Sequence, residues 1–324
     1  MAANSTINNE SPTGLARGSW LDPATLMRIK NLHLRAKVVV QGFYSGLHRS
    51  PFHGFSSQFS EYRQYSPGDD PRYIDWKLYA RSDRHYIKRF EDETNLRCYL
   101  LVDRSRSMQY GSLDYPKSDY ATTLAATFAY FLQGQRDAVG LLTFDQSVRE
   151  YLPPRFRPGH FNRLLVGLEQ PCQGTATNLT TPIRQIAEIT RRRSLVVMIS
   201  DLLSDIDGLQ EAFSLLRTSG HDVIVFQILD PTEIDLNLEK EAMFEDLESG
   251  RKLYIDPRAA KRQYQERFEK HQQRIIGCCE ELGIDYRLLP TDGPLELGLF
   301  DFVRARMSQI GRRMNQNVRA RGVV

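Results

Sequence analysis

Asp103, Ser105 and Ser107 stand at alternate positions directly after an apolar run, Leu96 to Val102, in the stretch LRCYLLVDRSRSM. A run of that length and composition reads as a buried strand. Small oxygen-bearing side chains add nothing to a core, and the end of a buried parallel strand is where an open α/β sheet places a ligand. Two more loops offer the same chemistry: GTATNL, Gly174 to Leu179, precedes a helical pattern, and Ser200-Asp201-Leu202 closes a second apolar run. Together they supply carboxylates from Asp103 and Asp201 and hydroxyls from Ser105, Ser107 and either Thr177 or Thr175. Thr177 is preferred, because it stands directly before Asn178-Leu179 at the helix start. All are hard donors, suited to Mg2+, Mn2+ or Ca2+ and poor for zinc. With the hydroxyls bound directly and the carboxylates acting through water, a cation keeps much of its charge, and an open position takes a carboxylate from outside. The competing interpretation is that Asp103 and the serines cap a loop by hydrogen bonds, with no metal.

The elements that must hold these loops alternate. Periodicity predicts a helix over Tyr115 to Leu132, a buried strand over Asp137 to Phe144 and an antiparallel edge over Ser147 to Leu152. Helices over Pro158 to Leu168 and Leu179 to Thr190 follow, then a strand over Ser194 to Ser200, a helix over Gly208 to Thr218 and a strand over Asp222 to Leu229. A short strand over Lys252 to Asp256, a long charged helix over Pro257 to Leu282, a strand over Ile284 to Leu288 and a helix over Leu295 to Met307 complete the pattern. Such alternation predicts an α/β domain over residues 96–310, a doubly wound, mostly parallel, Rossmann-like sheet covered on both faces.

Before this domain the chain is less regular. Residues 1–20 are polar and read as a disordered leader. Asp22 is a helix cap with Pro23 at the first helical position, and the helix is expected to run to Val40 with Leu26, Ile29 and Leu32 on one stripe. Phe43 to Ser60 mixes Gly and Ser with aromatics and reads as loop or short strands. In Glu61 to Arg89, Arg63, Arg72, Lys77 and Arg81 oppose Asp69, Asp70 and Asp75. This reads first as a salt-bridge clamp folding residues 21–95 onto the main domain. As a docking surface, the same stretch makes Arg63, Asp69, Asp70, Arg72, Asp75 and Trp76 the candidate partner-binding residues. Residues 311–324 form a basic tail, read as a solvated, fraying end.

Composition excludes several classes. Of 324 residues, 43 are Lys or Arg and 40 are Asp or Glu, so the net charge of +3 gives no global argument for nucleic acid. No apolar run approaches the roughly 20 residues of a membrane span. The N-terminus lacks the basic-then-apolar order of a signal peptide, which makes a cytoplasmic location the expectation. Cys98, Cys172, Cys278 and Cys279 show no metal or disulfide spacing and read as reduced and structural. The sequence has no GxxxxGK[ST] loop and no HExxH, and its seven histidines share no motif. A metal-assisted phosphohydrolase or nuclease is the alternative function, but the position two after Asp103 carries Ser105 rather than a second carboxylate.

Two resemblances rest on these residues. Asp103-x-Ser105-x-Ser107, Thr177 and Asp201 resemble the metal-ion-dependent adhesion site (MIDAS) of von Willebrand factor A domains. EYRQYSPGDDPRYIDWKLYAR, followed by an apolar strand and DRSRSM, resembles the DUF58 family of bacterial proteins over roughly Met27 to Leu229. The resemblance implies a von Willebrand A-like doubly wound fold with an N-terminal irregular and helical extension. It also implies partnership with a MoxR-type AAA+ ATPase, and an adaptor or chaperone component rather than an enzyme. Many relatives carry N-terminal membrane helices, which this sequence lacks. GTATNL has one residue more than the usual Gly-Gly-Thr-Asp-Leu, which leaves Thr175 open beside Thr177.

Overall fold

The computed structural model describes residues 21–49, 62–64, 79, 86–88, 96–171, 178–190, 192–203, 206–236, 242–245, 252–255 and 257–306. The predicted leader, the interior of the clamp with Asp69, Asp70, Arg72, Asp75 and Trp76, Cys172, the Thr175–Thr177 stretch and the basic tail lie outside them.

The Asp22 carboxylate accepts the Thr25 N–H at 2.9 Å and Pro23 follows it, so α1 (Pro23–Met27) starts where the sequence predicts. It stops after five residues. A second helix, α2 (Leu32–Arg49), starts afresh, with Asn31 Oδ1 accepting the Leu34 N–H at 2.8 Å. The single helix expected from Pro23 to Val40 is therefore two, and Phe43 to Arg49, expected as loop or strand, is helical. Packing explains the correction. Ala36, Val39, Val40 and Phe43 share one buried face, and the Phe43 ring lies 4.6 Å from Phe300 and 5.8 Å from Phe131 between centroids. That stripe outweighs the poor helix propensity of Gly42 and Gly46. Gly42 is moreover a close approach, since a Cβ there would stand 3.0 Å from Glu296 Oε1.

A short antiparallel pair follows, β1 (Tyr62–Gln64) with β2 (Tyr86–Lys88), and Arg63 stands opposite Ile87 in its register. The main domain then runs β3 (Arg97–Asp103), α3 (Lys117–Gly134), β4 (Ala138–Phe144), β5 (Val148–Arg155), α4 (His160–Leu168), α5 (Thr180–Ile189), β6 (Leu195–Ser200), α6 (Asp207–Thr218), β7 (Asp222–Leu229) and α7 (Pro231–Asp235). A hairpin of β8 (Ala242–Glu245) and β9 (Lys252–Ile255), α8 (Pro257–Glu281), β10 (Asp285–Pro290) and α9, helical residues 295–306, complete it. The sequence predicts β9 but not its partner β8, and the two form a sheet of their own.

The six-stranded sheet has the order β10-β7-β6-β3-β4-β5. Numbered along the chain this is 6-5-4-1-2-3, the doubly wound order, whose direction reverses between β3 and β6. Five strands are parallel and β5 is antiparallel, as predicted for that edge. Alternation along β3 feeds two cores. Cys98, Leu100 and Val102 pack with α2, α3, α4 and α9, whereas Tyr99 and Leu101 pack with α5, α6 and α8. Cys98, Cys278 and Cys279 are buried free thiols, and burial pushes Cys279 up to about 12.

The β4–β5 register slips between Val139 and Leu141, around Gly140. A Cβ at Gly140 would meet the Leu152 carbonyl oxygen at 2.7 Å and Pro154 N at 2.8 Å, both backbone. Gly140→Ala is therefore expected to destabilise the fold by about 2 kcal/mol in denaturant unfolding. Gly134→Ala, where nothing lies within 4 Å, should instead stabilise it by about 0.5 kcal/mol.

Candidate metal site at the strand switch point

Asp103 ends β3 and is fully buried. Its Oδ1 accepts the Ser105 N–H at 2.8 Å, which turns the chain, and its Oδ2 accepts the Ser200 hydroxyl at 2.6 Å, which ties that turn to the end of β6. Ser107 opens a 3₁₀ turn, Ser107–Gln109, and Ser105 Oγ lies 3.0 Å from Ser107 Oγ. Two oxygens in adjacent octahedral positions at about 2.1 Å from a small cation stand about 3.0 Å apart. The two hydroxyls thus fit one edge of such a shell, and the donor set is wholly oxygen.

Asp201 follows β6 and is also buried. Its Oδ1 accepts the Leu203 N–H at 3.3 Å, and its carbonyl accepts Gln227 Nε2 at 2.7 Å. Next to it, Leu202 has φ 54°, in the left-handed region. A non-glycine residue there costs about 1 kcal/mol or more and persists only where the surroundings fix it. The Leu202 side chain is buried in the second core, its N–H donates to Ser200 Oγ at 3.1 Å, and His271 Nε2 on α8 donates to its carbonyl at 2.7 Å.

Thr175 and Thr177 lie outside the described residues, but the exit of their loop does not. Asn178 N–H donates to the Asp145 carbonyl at 2.9 Å, just past β4, and Arg104 N–H donates to the Phe144 carbonyl at 2.7 Å. Asn178 therefore stands on the rim that carries Asp103. Asn178 Oδ1 then accepts the Thr181 N–H at 3.1 Å at the start of α5. Among the described residues no three His, Cys, Asp or Glu side chains converge as a metal cluster, so any cation here depends on the hydroxyls.

The residue that sequence reasoning missed is Lys117. It is fully buried at the first position of α3, with Nζ 2.9 Å from Asp201 Oδ2 and 2.7 Å from Glu233 Oε1. A signal existed: a cation at a helix N-terminus opposes the macrodipole and needs acids nearby. Glu233 in turn accepts the Asp230 N–H at 2.9 Å in a capping box, and the Tyr264 hydroxyl on α8 donates to its carbonyl. Asp230 accepts Ser112 N–H and Oγ at 2.7 and 2.6 Å, and Thr232 N–H and Oγ1 at 2.9 and 2.6 Å.

Charge is unevenly balanced. Burial, and then the negative charge of Asp201, push Asp103 up to about 7 against the hydrogen bonds from Ser200 and Ser105. Burial would lower the Lys117 ammonium, but Asp201 and Glu233 outweigh it and hold Lys117 above its ordinary value. Burial raises Glu233, with Lys117 opposing. For Asp230 burial works upward, but the bonds from Ser112 and Thr232 prevail and hold it below the ordinary carboxylate value.

Residues 61–274 match the family described as protein of unknown function DUF58. The chain belongs to the DUF58 family. The protein Rv1480 of Mycobacterium tuberculosis is 27% identical to it over 300 residues, which span 91% of this chain and 94% of that one. BatB of Bacteroides thetaiotaomicron is similar in structure with a TM-score of 0.46 and 15% identity, over 65% of this chain and 99% of that one. The VWA domain of SpRpn10 gives 0.39 and 14%, over 62% and 92%. This DUF58 chain has the doubly wound, mostly parallel α/β sheet that its sequence predicts. Among its described residues no helix is long and apolar enough to cross a membrane.

A carboxylate whose folded value is depressed adds stability above its unfolded value, and that stability is lost as pH falls through the folded one. Asp230→Asn is therefore expected to weaken the fold by about 1–3 kcal/mol at pH 7. It should also lose less stability than the wild type between pH 5 and pH 2, as urea unfolding across that range will measure.

Proposed function

We propose that this chain is a non-enzymatic protein-binding adaptor that works through a divalent cation, Mg2+ first, with Mn2+ or Ca2+ able to replace it. The observation that carries the reading is the Ser105–Ser107 hydroxyl pair, 3.0 Å apart, beside the buried Asp103 at the strand switch point. Ser105, Ser107 and Thr177, or Thr175 in its place, are the direct ligands, and Asp103 and Asp201 act through water. A cation held there supplies a positive centre with one position open to a carboxylate on a client protein. Asp103 suits an outer role, since both its oxygens already accept hydrogen bonds. That same engagement disfavours Asp103 as the nucleophile of a phosphohydrolase or nuclease, the alternative reading.

DUF58 membership supports partnership with a MoxR-type AAA+ ATPase in complex assembly or chaperone-like maturation. Nucleotide chemistry belongs to that partner, because this sequence contains no GxxxxGK[ST] loop. Arg63, Asp69, Asp70, Arg72, Asp75 and Trp76 are the proposed docking residues. The near balance of charge supports protein rather than nucleic acid as client, and the proposed location is cytoplasmic.

Mg2+ should raise the melting temperature of the wild type, and Asp103→Ala or Ser105→Ala should abolish that rise while the chain still folds. Client and ATPase capture in a pull-down should disappear with EDTA. An unchanged Mg2+ shift in both variants overturns the site. Metal-dependent phosphoester turnover that Asp103→Ala abolishes replaces the adaptor with the enzyme.

A further inference from the structure

We infer that Lys117 is a resident cation of this site, whose ammonium competes with the divalent ion for Asp201 and keeps metal binding weak. The inference rests on the metal reading above and adds a determinant of affinity to it. Lys117 is enclosed on three sides: Asp201 Oδ2 at 2.9 Å, Glu233 Oε1 at 2.7 Å, and the Tyr110 ring, with its centroid 6.0 Å from Nζ. The residue is fully buried, so water does not screen it.

Asp201 and Glu233 both contact this single base, and the buried Asp103 lies close enough to Asp201 to feel its charge. The lone ammonium leaves the Asp201–Glu233 pair one positive charge short, which a divalent ion beside Asp201 would make good. The same ammonium already holds Asp201, however. With Asp201 bonded to the ammonium and reaching the divalent ion through water, the like charges stand roughly 6–7 Å apart, and even with the dielectric of water their repulsion amounts to about tenfold in a binding constant. Lys117 is also fixed where it stands. It begins α3, Glu233 belongs to the Asp230 capping box, and Tyr110 OH bonds Thr232 Oγ1 at 2.8 Å on α7. The charge cannot swing away when a metal arrives.

Calorimetric titration of the full chain with Mg2+ tests this. Lys117→Gln removes the charge and keeps two N–H donors for the two acids, and is expected to bind Mg2+ at least about tenfold tighter than the wild type. Lys117→Arg keeps the charge and should stay within about threefold of the wild type. If Lys117→Gln fails to fold, Glu233→Gln serves: it leaves the ammonium to Asp201 alone and should bind Mg2+ several-fold more weakly. Binding by the wild type with equal or weaker binding by Lys117→Gln, or unchanged or tighter binding by Glu233→Gln, overturns the competition and leaves the metal reading standing. No binding by the wild type or by Lys117→Gln overturns both.

Discussion

The rim of this molecule is governed by the burial of acid. A carboxylate withdrawn from water is unfavourable unless hydrogen bonds or opposite charge surround it, and here Asp103, Asp201 and Asp230 are all buried. Ser200 reaches across from β6 to Asp103, Ser112 reaches back to Asp230, and Lys117 joins Asp201 to Glu233. Each of these bonds links elements far apart in sequence, so the polar rim and the sheet order depend on each other. Only an arrangement with β3 beside β6 brings Ser200 within reach of Asp103.

α8 fastens the far side of the same rim. Its His271 holds the carbonyl of Leu202, a residue with an unfavourable φ, and its Tyr264 holds the carbonyl of Glu233. Tyr286 on β10 donates its one hydroxyl proton to Gln227, with Gln272 beside the same oxygen, and Gln227 supports the Asp201 backbone. The loop that presents Asp201 is thus secured from the helix and from the sheet. A preorganised site of this kind spends little entropy in taking up a ligand.

Much of this was legible in the sequence. β3, β6 and β7 are mostly apolar runs because a parallel strand is buried on both faces, and the polar residues that end β3 and β6 mark the site. The extension of α2 was not legible, because Gly42 and Gly46 argue against helix, and Phe43 finds Phe300 only in the folded chain. Lys117 was legible only in part. Its place at a helix N-terminus asks for acids nearby, but nothing in the sequence says which, since the two lie 84 and 116 residues further on. β8 escaped because its strand period is too short to stand out from the polar residues around it.

The antiparallel strand β5 passes through Pro153 and Pro154 where its register with β4 slips. Proline has no N–H to offer a further strand, and a bulge twists the outer row of backbone groups out of line. At the opposite margin, β10 carries Asp285 and Arg287 and ends on Pro290. Both margins of the sheet are therefore poor templates for intermolecular β-pairing. A six-stranded sheet with largely apolar inner strands is in this way protected against edge-to-edge aggregation, and a partner that engages this sheet is left side chains and loops rather than a free strand edge.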